Sequence, residues 1–309
     1  MARRKTGDLI DGWIALDKPL EVTSTQAVSR VRRLFNARKA GHGGTLDPLA
    51  SGVLPIALGE ATKTVGYVMD GRKRYRFTLR WGQATSTDDG EGEVVEESPL
   101  RPTTQAIEAA LPAFLGEIEQ VPPIFSAVKI GGQRAYDLAR NDAEVTLTPR
   151  KVRIDGLELI EEPDDDHATF SVACGKGAYM RALARDLGLA LGTCAHVVAL
   201  RRTAVGPFSE EMAISLESLE ELGHSPALME QLRPIETALD DIPAFALSEA
   251  EARRLRCGQT VSLMARVHRD RLRDLSQGSI VCATAAGKLV ALARYEAGEV
   301  HPVRVINPS

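Results

Sequence analysis

GHGGTLDPLASGVLPIALGEATK, residues 41–63, is the stretch on which the reading of this chain turns. Glycines and prolines flank a single aspartate, Asp47, and the run then turns apolar through Val53, Leu54, Ile56, Ala57 and Leu58. Pro48 disfavours the α region for the residue before it, so Asp47 is expected to be extended. Pro48 also has a nearly fixed φ and no amide hydrogen, while the glycines let backbone or ligand approach closely. The picture is a carboxylate on a stiff loop that feeds a buried strand. Asp beside Gly and Pro is equally common turn chemistry, so local pattern alone leaves both readings standing.

The chain has 309 residues, enough for one large domain and a smaller one. Hydrophobic residues make up 44% and charged ones 26%, ordinary values for a globular protein. No apolar run approaches a membrane span, and the charged start MARRKTGDLIDGW has no apolar signal core, so a cytoplasmic location is expected. Cys174, Cys194, Cys257 and Cys282 are scattered without CxxC spacing, which predicts free thiols and no zinc site. No pair of histidines has metal-ligand spacing, and DDGEGE (88–93) lacks the oxygen spacing of a calcium loop. Neither metal nor cofactor is expected. Net charge is −4, but residues 1–85 carry +8 and residues 86–170 carry −12. Phosphate contacts depend on local charge, so this segregation permits a basic groove on an acidic body; it is equally compatible with solvated faces.

Residues 13–16, WIAL, read as a strand leading to Lys18 and Pro19. Ser24 and Thr25 are placed to cap a helix with Val28, Val31, Leu34 and Phe35 on one side and Arg30, Arg32 and Arg33 on the other. RKRYRFTLRW (72–81) alternates, with Tyr75, Phe77, Leu79 and Trp81 on one face and Arg74, Arg76 and Arg80 on the other, the pattern of a half-buried strand. Tyr75 is then either one more core aromatic or a site residue. Residues 103–115 form an amphipathic helix, and the prolines and double glycine of 121–140 suit a hinged excursion. Strands at 151–160 and 168–174 are parted by an acidic turn, Glu161–Asp166. Arg181 falls in the first turn of a helix bearing Leu183, Leu187 and Leu191; a cation there opposes the helix macrodipole, which points to a carboxylate partner. Residues 209–243 read as helical, broken by Pro226, Pro234 and Pro243, and 244–309 as short strands in a compact β-barrel.

The order of these words resembles the TruB family of tRNA pseudouridine synthases, whose aspartate motif reads GHxGxLDPxAxGxLPxxxGxATK. Gly41, His42, Gly44, Leu46, Asp47, Pro48, Ala50, Gly52, Leu54, Pro55, Gly59, Ala61, Thr62 and Lys63 all match. KPLEVTS (18–24) resembles the family's KPxGxTS with Glu21 in place of glycine, a departure that touches only the local turn. Further blocks are the KRY of 73–75, PPIFSAVKIGGQRAY (122–136), KGAYMR (176–181) and AHVVALRRTAVGPF (195–208), so the resemblance spans about residues 13–208.

The resemblance implies an α+β pseudouridine synthase fold, a mixed and largely antiparallel sheet flanked by helices, over residues 1–243, with an RNA-gripping insertion at about 125–150 and a small PUA-like RNA-binding β-barrel over 244–309. It implies that Asp47, Tyr75 and Arg181 are catalytic, that His42 fills the place of a flipped base, that Tyr179 and Leu200 line the pocket, and that Lys18, Lys63, Lys129, Lys176 and Arg202 contact RNA. The substrate it implies is uridine 55 in the T-stem-loop of tRNA, acted on by a monomer with no obligate protein partner and no membrane association. The chemistry breaks C1′–N1, turns the uracil and rejoins it through C5, without net redox or hydrolysis. It asks for an ionised carboxylate, and a guanidinium beside Asp47 opposes the desolvation that favours the neutral acid. Asp47 and Arg181 are therefore expected as a buried pair, and the target base must first be flipped from its stack.

Overall fold

The computed structural model describes residues 7–126, 147–263 and 275–307; of 127–146 only the backbone of two short strands is described. The central sheet has ten strands: β1 (Gly12–Lys18), β2 (Ala40–His42), β3 (Ala50–Leu58), β4 (Lys73–Trp81), β7 (Gly116–Gln120), β10 (Arg150–Asp164), β11 (His167–Cys174), β12 (Ala195–Val205), β13 (Phe208–Ser209) and β14 (Ile214–Ser215). The small pairs β5 (Gln83–Thr85) with β6 (Val94–Glu97), and β8 (Lys129–Ile130) with β9 (Gln133–Arg134), lie outside it. The order is β14-β1-β3-β12-β4-β11-β10-β7, with β2 on β3 and β13 on β12. Only β1–β14 and β3–β12 run parallel, so the expected mixed, mainly antiparallel sheet is found.

Its middle three strands place the site. Gly52 of β3 lies opposite Arg202 of β12, and Arg202 lies opposite Tyr75 of β4. Gly52 has φ +100°, and a Cβ there would fall 2.2 Å from the Arg202 carbonyl oxygen, so only glycine lets the two strands pair this closely.

The α-helices of the described chain are α1 (Ser24–Leu34), α2 (Val65–Asp70), α3 (Thr104–Ala110), α4 (Met180–Ala190), α5 (Leu216–Leu222), α6 (Pro226–Glu230) and α7 (Glu249–Arg256). Helix α1 is capped one residue earlier than expected: Thr23 accepts from the Gln26 amide in a capping box, and Ser24 is buried. Residues 209–243 are less helical than their sequence suggests. Ile214–Ser215 joins the sheet edge, a two-residue strand too short to show alternation.

The C-terminal unit is a five-stranded sheet in the order β15 (Ala244–Ala246), β17 (Ile280–Ala285), β18 (Lys288–Glu296), β19 (Glu299–Val305), β16 (Val261–Ser262), curled as befits a PUA-like half-barrel. It also holds α7, whose Ser248–Glu251 capping box corresponds to S-E-A-E in the sequence. The two units share one apolar core: Cys282, Leu289, Leu292 and Ile306 pack with Trp13, Ala15, Val53, Ala57 and Phe208. Lys63 donates to the Val305 carbonyl at 2.8 Å, and Glu60 accepts from the Asn307 amide at 2.8 Å, pinning the last strand beside the end of β3.

A continuous core couples the stability of both units. Leu292→Ala leaves a cavity in that core and should cost about 2–5 kcal/mol. Both tryptophans, Trp13 and Trp81, sit in the central sheet, so their fluorescence should report the loss as an earlier urea transition. A fluorescence transition that does not move would mean the two units unfold independently.

Candidate active site

The loop Gly44–Pro48 is fixed peptide by peptide before its acid is considered. Ser24 grips Leu46 from both sides: its hydroxyl accepts from the Leu46 amide at 2.9 Å and donates to the Leu46 carbonyl at 3.0 Å. The Lys18 ammonium donates to the carbonyls of Pro19 (2.8 Å), Val22 (2.7 Å) and Pro48 (3.3 Å). Pro48 also accepts from the amide of Glu21, at 2.9 Å. Arg202 completes the cage, donating to the carbonyls of Gly44 (3.1 Å), Thr45 (3.2 Å) and Val53 (2.8 Å). Glu21 takes the left-handed conformation, φ +64°, that the glycine of the resembling motif would adopt without strain.

Lys18 and Arg202, expected to contact RNA, are 0% and 1% exposed and hold the loop from inside. Converging carbonyls form a negative focus that a cation satisfies better than any neutral donor. Burial nevertheless lowers the Lys18 ammonium to about 8, against the opposing pull of Asp47.

Asp47 meets Arg181 at 2.9 Å, Oδ2 to Nη2. The guanidinium is 6% exposed, but the carboxylate is 41% exposed, so the expected buried pair is in fact half open. The open half faces a cavity of about 260 Å³, also lined by Tyr75, Tyr179, Leu200 and Arg202. Burial raises the Tyr75 phenol, partly offset by Arg202, and burial likewise raises Tyr179. Both hydroxyls are therefore neutral at physiological pH.

Sequence reasoning missed a second acid. Asp89 lies 3.3 Å from Arg181 and is 11% exposed. Its carboxylate also accepts from Thr87 at 2.5 Å and from the Glu91 amide at 3.0 Å. Arg181 further donates to the carbonyls of Thr87 (3.2 Å) and Phe125 (2.9 Å). The only hint in the sequence was an acid-rich turn after an arginine-rich strand.

The remaining expected residues scatter. His42 sits on β2 opposite Ile56, and its buried Nδ1 has no hydrogen-bond partner among the described residues. Burial, then Arg202, lowers its pKa, so the ring is neutral. Lys176 is at the cavity rim, paired with Asp70 at 2.7 Å. Lys63 is spent on Glu60 and Val305. Lys129 is on β8, its side chain outside the described residues, as is most of the 125–150 insertion with Tyr136.

A family model described as "TruB family pseudouridylate synthase (N terminal domain)" matches residues 32–180, and "tRNA pseudouridylate synthase B C-terminal domain" matches 181–240. The "tRNA pseudouridine synthase B" of Rhodospirillum rubrum is 59% identical over 307 residues, 99% of this chain and 100% of that one. This chain belongs to the TruB family. The protein of the same description from Caulobacter vibrioides is 56% identical over 306 residues, 99% of each chain. Among solved structures, a chain of a Cbf5-Nop10-Gar1 complex matches at TM-score 0.73 and 28% identity, over 96% of this chain and 85% of that one. A chain of an H/ACA RNP bound to a substrate RNA containing 2′-deoxyuridine gives 0.75 at 24% identity, over 100% and 92%, a likeness of fold alone.

The Lys18 brace has a pH signature. Its folded-state pKa, about 8, lies below the ordinary lysine value of 10.5. Between those values the unfolded chain holds a proton that the folded chain has released, so this group's contribution to stability rises with pH across the window. Lys18→Met abolishes that rise. The stability gap between wild type and variant, measured by urea titration, should widen from about pH 8 to about pH 10; a constant or narrowing gap counts against the assignment.

Proposed function

We propose that this chain isomerises uridine 55 in the T-loop of tRNA to pseudouridine, acting without a guide RNA or partner protein. The observation that carries the reading is the half-open Asp47–Arg181 pair at 2.9 Å, set against a cavity shared with Tyr75 in a chain alike over its full length to tRNA pseudouridine synthases B.

Asp47 supplies the ionised carboxylate that acts on the flipped nucleotide. Arg181 stabilises the carboxylate and holds it toward the cavity. Tyr75 stacks on the uracil, with Tyr179 and Leu200 as the walls that keep water out. The atoms balance when C1′–N1 breaks, C1′–C5 forms, and the proton lost from C5 is matched by one gained at N1. His42, neutral and with an unspent ring nitrogen, is the side chain proposed to occupy the stack that the base leaves. Residues 1–243 are proposed as the catalytic unit, with Lys129, Lys176 and the exposed arginines of α1 as its phosphate-facing cations, and 244–309 as an RNA-binding unit.

The test is a T-stem-loop transcript incubated with the purified chain alone and read for pseudouridine at position 55. Wild type should convert it. Asp47→Asn should lose at least about 10³-fold in rate while still binding the RNA. Conversion by the variant, free uracil among the products, or binding without conversion by wild type each defeats the proposal.

A further inference from the structure

Helix α4 begins at an N-cap residue, Tyr179, whose own side chain makes no capping bond. Its backbone is gripped from outside instead. Gln120, the last residue of β7, is 1% exposed. Its Nε2 donates to the Tyr179 carbonyl at 3.1 Å, and its Oε1 accepts from the Tyr179 amide at 2.8 Å. A primary amide that gives and takes a hydrogen bond with one residue reproduces a rung of antiparallel sheet. Gln120 thereby clamps the peptide groups on both sides of the Tyr179 Cα, at the point where a loop (φ −111°, ψ 119°) turns into helix. The same Tyr179 carbonyl accepts the first helical bond, from Leu183 at 3.0 Å, so the clamp also sets where the helix starts.

Two residues further on is Arg181, whose guanidinium must meet Asp47, Asp89, Thr87 and Phe125 together. One turn later Arg185 donates to the Val121 carbonyl at 2.9 Å. Segment 120–125 and the start of α4 are therefore tied at three places along the helix: the Tyr179 backbone, Arg181 and Arg185. Only the first of these is made by a side chain of the segment, and that side chain does not line the cavity.

We infer that Gln120 is a positioning residue for the reaction: by locking the Tyr179 backbone it sets the Arg181–Asp47 geometry and the Tyr179 wall of the cavity. This rests on the proposed function, in which that ion pair is the reacting centre. Displacements of about 1 Å at such a centre cost on the order of 10²-fold in rate, so the clamp acts on turnover and leaves the RNA-binding surface alone.

The experiment uses the full-length chain and the T-stem-loop transcript. Gln120→Met, nearly isosteric and without hydrogen bonds, should lower the single-turnover rate by about 10- to 100-fold. RNA affinity, measured in an Asp47→Asn background so that binding is read without turnover, should change by less than about threefold, as expected when only transition-state contacts are lost. Gln120→Glu keeps the acceptor but, when ionised, turns a second oxygen on the Tyr179 carbonyl. Burial raises the pKa of such a carboxyl, and its protonated form again donates. The ratio of the Gln120→Glu rate to the wild-type rate should therefore climb as pH falls from about 8 to about 6. This series also decides the matter if Gln120→Met does not fold. A folded Gln120→Met within about twofold of wild-type rate, a loss of affinity that accounts for the whole loss of rate, or a flat Gln120→Glu ratio overturns the inference. Absence of conversion by wild type is a separate result, which removes the proposed function and not the clamp.

Discussion

The structure depends on one guanidinium serving three segments that are far apart in the chain. Arg181 is almost fully buried and reaches Asp47 before β3, Thr87 and Asp89 beyond β5, and Phe125 beyond β7. Taking such a group from water is costly, and the attraction of its partners roughly repays that cost without adding much net stability. Removing the arginine would be another matter, since Asp89, 11% exposed, would be left as an unpaired buried charge. The arrangement is better understood as specifying one geometry than as holding the fold together. Two carboxylates share the cation unequally: Asp89 is closed in by Thr87 and the Glu91 amide, while Asp47 keeps its open side toward the cavity.

That geometry needs a rigid counterpart, and the sheet supplies it. Asp47 stands just ahead of β3, Tyr75 is on β4, and β12 lies between them. The rung Gly52–Arg202–Tyr75 fixes the lateral spacing. Arg202 then turns its side chain back along the sheet to hold Gly44, Thr45 and Val53. The Asp47 loop is therefore registered against the strand that carries Tyr75 through covalent and hydrogen-bonded links only a few residues long, which keeps the carboxylate and the aromatic ring from drifting apart.

The parts of this chain that were legible in its sequence are those set by local periodicity or by a dense motif. The alternation of RKRYRFTLRW became β4, WIAL became the heart of β1, and the cation at the start of α4 did have a carboxylate partner. Hidden were the features whose partner lies far along the chain. Asp89 lay inside an acidic run with no assigned role because its bond to Arg181 spans 92 residues. Ser24 was read as a helix cap because its actual work, clasping Leu46, is 22 residues away. The half-open state of the ion pair was hidden for the same reason, since exposure belongs to the cavity and not to either residue.

Lys18 and Arg202, which the resemblance set against RNA, are buried, and so is Lys73 of the KRY block. A lysine or arginine in a motif of a nucleic-acid-binding family suggests a phosphate, yet Lys18, Lys73 and Arg202 all point at backbone carbonyls. A glycine- and proline-rich loop, and the end of a short helix, leave carbonyls without partners, and these groups are strong acceptors that must be satisfied when buried. One ammonium or guanidinium answers two or three of them at once, where several neutral side chains would not fit. The cost appears as the depressed affinity of Lys18 and Lys73 for their protons, each lowered to about 8, chiefly by burial. Charge of this kind is structural. The exposed cations of the first 85 residues include Arg30, Arg32 and Arg33 on α1 and Arg74 and Arg76 on β4. These come from the basic first 85 residues, so the charge segregation bears on phosphate contact through its exposed members, while its buried members shape the loop that carries Asp47.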